Sequence, residues 1–454
     1  MTHHTNQSLR RRIPFLLFLL FFVSGCSLLK GPQQLVVPTA IPAAPPLAAE
    51  SSFELVTDPV SNVTIGVDSE VLNLVNQVSQ QQLTGYVQTL ENFFTRSTFS
   101  VVDREGEGIG AARRWIFNEF IRVGNGRLQV ELDEFPVVLN GVTYNQQNII
   151  ATLPGAGPHP GVLVITAHYD SRPLNPNDGA SHAPGANDNG SGVALLLELA
   201  RIMSIREWNQ TIMFVTTSGE EQARYGSSHF VSEQLLNGRQ IDANINVDIV
   251  GGRPGIPQSV RVFAPGPSSS QHRHFVRYME LAAGMYVPQF PLTWVNARDR
   301  DGRWGDQMSF QDAGITGVRL TESEEDRNNQ HNSGDTWEKL DYNYLRQVTQ
   351  LVVAVAGNIA GAPPPPPIPN VSPAAEPGAY LITWAPDRLA AGYAIAFRPI
   401  ESDTTPPLRF VNREQAGNVA LSGFDPGVTY AVSMASVDGN GRVGLFSPEI
   451  MVGP

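Results

Sequence analysis

Apolar residues recur along this 454-residue chain in three rhythms, and each predicts a different kind of element. Residues 71–94 (VLNLVNQVSQQQLTGYVQTLENFF) and 108–124 (GIGAARRWIFNEFIRVG) carry them near helical spacing. In the second, Trp115, Ile116, Phe120 and Ile121 fall on one side and Gly124 is placed to end the helix. Residues 127–135 alternate as a strand does. From residue 162 the rhythm changes. VLVITAH (162–168), TIMFVTTS (211–218) and INVDIVGG (245–252) read as strands, the first two being continuous apolar runs suited to burial on both faces. SGVALLLELARIMS (191–204) and GSSHFVSEQLL (226–236) lie between them as helices, and residues 340–360 form a closing helix. A β-α-β-α-β order predicts an α/β fold, a three-layer α/β/α sandwich with a mainly parallel central sheet.

Both ends depart from this pattern. Pro363 to Pro367 is an unbroken proline run, so residues 362–370 read as a stiff polyproline linker. Residues 371–454 hold short strands and turns with no helix, which predicts a small all-β sandwich. A tryptophan on an early strand and FDPGVTY before a late one resemble a fibronectin type III domain, with Tyr430 as its tyrosine corner. At the other end, Arg10, Arg11 and Arg12 precede an uncharged apolar run, residues 13–23. That run is shorter than the ~20 residues a membrane-spanning helix needs, and it fits a signal peptide over residues 1–25. It ends in Val23-Ser24-Gly25-Cys26, which resembles a bacterial lipobox. The resemblance implies cleavage before Cys26, a lipid anchor on that residue, and a place in the bacterial cell envelope, at the outer membrane in a Gram-negative cell because Ser27 follows. Residues 26–70, rich in proline and alanine, read as a flexible tether, which leaves residues 71–361 as the main domain.

Composition narrows the function. With 41 % hydrophobic and 16 % charged residues, disorder is excluded for most of the length. A net charge of −12 argues against a broad nucleic-acid surface. One cysteine permits neither a disulfide within the chain nor a cysteine-based zinc site. No GxSxG elbow and no Walker-type loop occurs, so serine-hydrolase and phosphate-loop chemistry have no support.

Candidate ligands follow the predicted strands: His168 and Asp170 after the first, Asp188 at the start of the next helix, Glu220-Glu221 after the second strand, Asp248 in the third, and His331 in a late polar loop. In an open α/β sheet such residues gather outside the carboxyl ends of the strands. Two histidines, two aspartates and a glutamate suit zinc, which needs no sulfur. Five ligands exceed one catalytic zinc with an open position. They suit two ions sharing a carboxylate, ~3.5–4 Å apart and able to hold a bridging hydroxide, with Glu220 left free to move a proton. Taken singly, Asp188 could be a helix cap, Glu220-Glu221 a solvated pair and His168 a satisfied rim residue. Asp248 resists a bland account, because an unpaired carboxylate in an apolar strand is costly.

Five segments, AHYDS, GANDNGSGVA, SGEEQARYGSSHF, NVDIVG and QHNSGDTWEKLD, run in order over roughly residues 76–360 and resemble the di-zinc aminopeptidase family. That family includes secreted bacterial leucyl aminopeptidases and relatives of glutamate carboxypeptidase. The resemblance implies a zinc exopeptidase fold, peptide substrates, two Zn2+ ions and removal of N-terminal residues. It implies that Asp188 bridges the ions, that His168 and Asp248 complete one site, and that Glu221 and His331 complete the other. Glu220 is then the general base, Asp170 accepts the far N–H of His168, and Asp335 supports the late histidine. One departure is plain: many relatives have Asp-His where this chain has Asp306-Gln307. His159, His182, His229, His272 and His274 are expected to be surface or structural. Two other readings stand beside the peptidase: a glutaminyl cyclase-type acyl transferase on the same fold, and a non-catalytic surface binding protein. The C-terminal domain, which supplies no ligand, is expected to be dispensable for chemistry.

Overall fold

Asp68 opens the first helix by accepting the Glu70 and Val71 backbone N–H groups, each at 2.9 Å. The computed structural model describes residues 55–415 and 417–454. The expected signal peptide, Cys26 and most of the tether lie outside these residues. In chain order the elements begin with β1 (Val56–Thr57), α1 (Ser69–Asn76), α2 (Gln80–Glu91) and α3 (Gly108–Val123). The single helix expected over 71–94 is therefore two, divided where Ser79 caps α2. There follow β2 (Gln129–Leu139), β3 (Val142–Leu153), β4 (Val162–His168), α4 (Ser191–Met203), β5 (Thr211–Thr217), α5 (Tyr225–Leu236) and β6 (Ile241–Val247). Then come β7 (Val260–Phe263), α6 (Gln271–Tyr286), β8 (Leu292–Val295), α7 (Gln307–Asp312), β9 (Gly317–Glu322) and α8 (Tyr342–Gly361).

Eight of these strands form one sheet in the order β2-β3-β5-β4-β6-β9-β7-β8. Its centre is parallel, from β5 through β4 and β6 to β9, while β3 joins β5 and β7 joins β9 antiparallel. Every residue of β4 is buried, as a strand covered on both faces must be. Its side chains alternate between two cores. Leu163 and Ile165 join the larger one with α4 and α8, and Val162 and Val164 join a smaller one with Phe230 of α5 and Phe310 of α7. Helix α4 is buried on nearly every side, hence its leucine-rich sequence.

The C-terminal region is a β-sandwich of β10 (Asn370–Pro373), β11 (Tyr380–Thr383), β12 (Gly392–Pro399), β13 (Leu408–Asn412), β14 (Val419–Leu421), β15 (Tyr430–Val437) and β16 (Ile450–Val452), with β1 added. Its core packs Trp384 edge-on against Tyr393, and the Tyr430 hydroxyl accepts the Asp425 N–H at 3.1 Å.

Two expectations about connections are corrected. The tether does not run to residue 70: Val56 and Thr57 pair in parallel with Val419 and Ala420, and Ser61 Oγ donates to Asn412 Oδ1 at 2.7 Å. A two-residue strand carries no periodicity of its own, so only its distant partner reveals it. Nor does the proline run act as a free spacer. Pro363, Pro366 and Pro369 are buried, and the sandwich docks on α6 and α1. Ala394, Ala435, Val437 and Val443 belong to the larger core of the α/β domain. Glu449 pairs with Arg398 at 2.6 Å and with Arg277 of α6 at 2.9 Å, and Arg442 pairs with Asp68 at 3.0 Å. The two regions form one compact unit.

Candidate metal centre

The carboxyl ends of β4, β5 and β6 meet at one rim. His168 is the last residue of β4. After β5 the chain turns through Gly219, whose φ of 72° suits glycine, and presents Glu220 and Glu221. Asp248 follows the last residue of β6, one place beyond the strand and not inside it. Asp188 sits in the turn Ala186–Gly190 that feeds α4. Glycine at 192 allows that feed, since a Cβ there would stand 2.5 Å from the Val247 carbonyl oxygen. His331 arrives from the loop between β9 and α8 with a φ of 59°, a conformation that costs a non-glycine residue energy.

These five residues form two groups that share Asp188. In the first, His168 Nε2 lies 3.3 Å from Asp188 Oδ1 and 3.4 Å from Asp248 Oδ1. In the second, His331 Nε2 lies 3.1 Å from Asp188 Oδ2 and 3.3 Å from Glu221 Oε2. Within each group one ligand atom per residue lies within 4.8 Å of the others. Glu220 Oε2 stands 4.0 Å from His168 Nε2 and belongs to neither group. Asp188, Glu220, Glu221, Asp248 and His331 line a cleft of about 460 Å³, walled by Phe99, Val138, Tyr225, Arg303 and Trp304.

The electrostatics are those of a site short of positive charge. Burial pushes Glu221 up to about 7, with the Asp188 carboxylate adding to it. Burial, with Asp248 and Glu221 nearby, holds Glu220 well above its usual value. Burial opposes the His168 imidazolium, yet Glu220 and Asp248 outweigh it and raise that histidine well above its ordinary value. Asp188 goes the other way: burial is overcome by its hydrogen bonds to His168 and His331. Glu221 Oε1 and Asp248 Oδ1 are buried with no hydrogen-bond partner. Buried carboxylate oxygens without donors, grouped with imidazole nitrogens, fit divalent cations of the zinc type.

The supporting residues differ in detail from the expectation. His168 Nδ1 meets the backbone carbonyl of Asp170 at 3.0 Å, while its carboxylate lies at 3.6 Å. The carboxylate instead accepts the Glu220 and Glu221 backbone N–H groups at 3.3 and 3.2 Å, bracing the Glu-Glu turn. Asp335 braces the Asp188 turn and not the late histidine: its two oxygens accept the Asn187 and Asp188 N–H groups at 2.8 and 2.9 Å. Asp306 is buried and accepts from Thr217 Oγ1 at 2.5 Å. Gln307 Nε2 donates to the Arg298 carbonyl at 2.9 Å.

Among the described residues, the five other histidines stand outside the two ligand groups. His159 pairs with Asp242, His229 with Asp133 and His274 with Glu449, His182 stacks on Phe94, and His272 accepts the Gly317 N–H. Three arginines were not singled out from the sequence. Arg172 Nε donates to Glu221 Oε2 at 2.8 Å, Arg319 Nη2 lies 3.0 Å from Asp248 Oδ2, and fully buried Arg96 donates to the Tyr169, Leu90, Pro184 and Gly185 carbonyls. Arg319 does leave a trace, a charged residue between Val318 and Leu320.

Comparison with known proteins gives a consistent result. Residues 148–356 match the model of peptidase family M28. A protein from Pyricularia oryzae that carries the name "Probable zinc metalloprotease" is 32 % identical over 382 residues, covering 73 % of this chain and 75 % of that protein. Among solved structures, the Legionella pneumophila LapA aminopeptidase is similar in fold, with a TM-score of 0.53 at 19 % identity over 66 % of this chain and 76 % of its own. So is the glutaminyl cyclase of Porphyromonas gingivalis, with a TM-score of 0.50 at 22 % identity over 62 % of this chain and 98 % of its own. On the strength of the sequence match, this chain belongs to peptidase family M28 and is a zinc metallopeptidase by family.

Proposed function

We propose that this chain is a zinc exopeptidase that removes amino-terminal residues from peptides. The observation that carries the reading is Asp188 standing between two three-residue groups, with Glu220 buried beside them and outside both. His168, Asp188 and Asp248 would hold one zinc ion, and Asp188, Glu221 and His331 the second. Zinc in these positions supplies a Lewis acid that polarises a peptide carbonyl and acidifies water.

The chain's own residues do the rest. Glu220 takes a proton from the attacking water at its carboxylate and returns it to the leaving nitrogen, a role for which proximity to the ligands without membership of them is required. Asp170 holds the Glu220-Glu221 turn by its backbone, which keeps base and ligand in fixed register. Asp335 does the same for Asp188.

A cyclase on the same fold is the second reading, favoured by the structural likeness to a glutaminyl cyclase. Only Gln222, Ala223 and Arg224 separate Glu221 from Tyr225, which leaves no room for the aromatic-bearing insert that several cyclases carry there and supports the peptidase. Two further parts of the reading rest on sequence. The sandwich is fibronectin type III-like, for which the Tyr430 hydroxyl bond to the Asp425 backbone is the support. The mature chain is a lipoprotein of a bacterial envelope, anchored through Cys26.

The test is zinc analysis of the purified protein alongside release of aminoacyl fluorophores and cyclisation of glutaminyl peptides. Two zinc ions with fluorophore release support the aminopeptidase. One zinc with cyclisation supports the second reading, and no turnover of either substrate leaves the binding protein.

A further inference from the structure

We propose that Arg319 is a positioning residue that holds the ligand Asp248 by one oxygen and ties it to the cleft-wall segment 299–304. The inference rests on the zinc reading of the site.

Arg319 lies in β9, its side chain fully buried. One nitrogen, Nη2, stands 3.0 Å from Asp248 Oδ2. The other, Nη1, reaches both oxygens of Asp299 at 3.0 and 2.7 Å. The guanidinium thus forks between a residue of the metal centre and a residue of the cleft wall. Nη2 itself makes no hydrogen bond, so its tie to Oδ2 is a close ion pair, and the other Asp248 oxygen, Oδ1, has no hydrogen-bond partner and stands 3.4 Å from His168 Nε2, where it would ligate.

The connection continues. Asp299 accepts the Arg300 backbone N–H at 2.7 Å, and the Arg300 guanidinium pairs with Glu325. Glu325 also pairs with Arg261 at 2.5 Å and accepts Gln330 Nε2 at 2.9 Å, next in sequence to His331. Gln307 Nε2 donates to Asp299 Oδ2 at 3.3 Å and so braces the same segment. Arg300, Arg303 and Trp304 line the cleft directly.

A strand interior filled by an apolar side chain would avoid the desolvation of a guanidinium. What arginine adds is a wide planar cation that hydrogen-bonds Asp299 through Nη1 while Nη2 ion-pairs with Asp248, which the point charge of lysine cannot do at once. Loss of a residue that orients a metal ligand typically costs ~10–100-fold in metal affinity.

The experiment uses Arg319→Lys, which keeps the charge but not the fork, and Asp299→Asn, which keeps Asp248 paired but weakens the tie to the cleft. Zinc retained by each purified protein is measured against graded chelator, with a peptide substrate assayed in parallel. Arg319→Lys is expected to lose one of two zinc ions at ~10–100-fold lower chelator than the wild type. Asp299→Asn is expected to keep both ions at wild-type chelator concentrations and to raise KM more than it lowers kcat. Wild-type zinc retention in Arg319→Lys, with only a lower melting temperature, overturns the proposal. Should that variant fail to fold, Asp299→Asn decides alone, and an unchanged KM overturns it. A wild-type protein without zinc sinks the metal reading itself, which separates the two failures.

Discussion

Asp335 grips the backbone of Asp188, its Oδ2 accepting the Asp188 N–H at 2.9 Å while Oδ1 accepts the Asn187 N–H at 2.8 Å. The shared carboxylate is therefore aimed from below by another carboxylate 147 residues later in the chain. Replacing Asp335 by alanine leaves two N–H groups of a buried turn without acceptors. Zinc affinity is expected to fall ~10–100-fold at both positions together, because both share Asp188. Zinc stoichiometry against graded chelator checks this, and loss of one ion alone would count against it.

Glu220 and Glu221 are neighbours with opposite expected phenotypes. Glu220→Gln keeps size and polarity but cannot take a proton, so turnover should drop ~10²–10⁴-fold with both zinc ions retained. Glu221→Ala should lower zinc content, since it removes one of three residues around the second position. Near-normal turnover in Glu220→Gln, or equal zinc loss in the two variants, would falsify the division of roles.

A chain ending at residue 361 is expected to fold poorly, contrary to what a proline spacer suggests. It would strip the cover from Tyr278, whose hydroxyl donates to the Val443 carbonyl at 2.9 Å, and leave Arg277 without Glu449. Limited proteolysis and thermal melting of the shortened chain check this. A truncated protein that melts as the full chain does would contradict the docked arrangement.

The docking is also expected to weaken in acid. Burial raises the Glu449 carboxyl, but His274, Arg398 and Arg277 more than reverse that and bring it down to about 2 from 4.5. A group held lower in the folded state stabilises fully above its unfolded value and loses that contribution as pH falls through the folded one. The loss should therefore fall between pH 4.5 and 2. Thermal melts across that range should show a slope that Glu449→Gln flattens.

Cys26→Ser is expected to abolish lipid labelling and release the protein from the membrane fraction. Cell fractionation of both forms checks this, and membrane association with lipid labelling that persists unchanged would overturn the lipoprotein reading.

Several features were legible in the linear chain because they depend on local pattern. Runs such as VLVITAH mark central strands, since burial on both faces demands unbroken apolar residues, and the chemistry-bearing residues follow those strands directly. Helix order around them then requires a common rim, so His168, Asp188, Glu221, Asp248 and His331 could be grouped before any distance was known. Other features were decided only by tertiary packing. Strands β7, β8 and β9 are short, and their partners are set by sheet order, which no local period encodes. The carboxylates of Asp170 and Asp335 look alike in sequence, but whether each meets a histidine ring or a backbone N–H depends on ångström-scale placement of separate loops. Arg319 is an isolated charge between two apolar residues until Asp248 and Asp299 arrive beside it. The proline run reads as a spacer because polyproline is stiff by itself, yet stiffness says nothing about what lies against it. Here the sandwich docks on α6 and on the start of α1, burying apolar surface and pairing charges that only meet once the whole chain has folded.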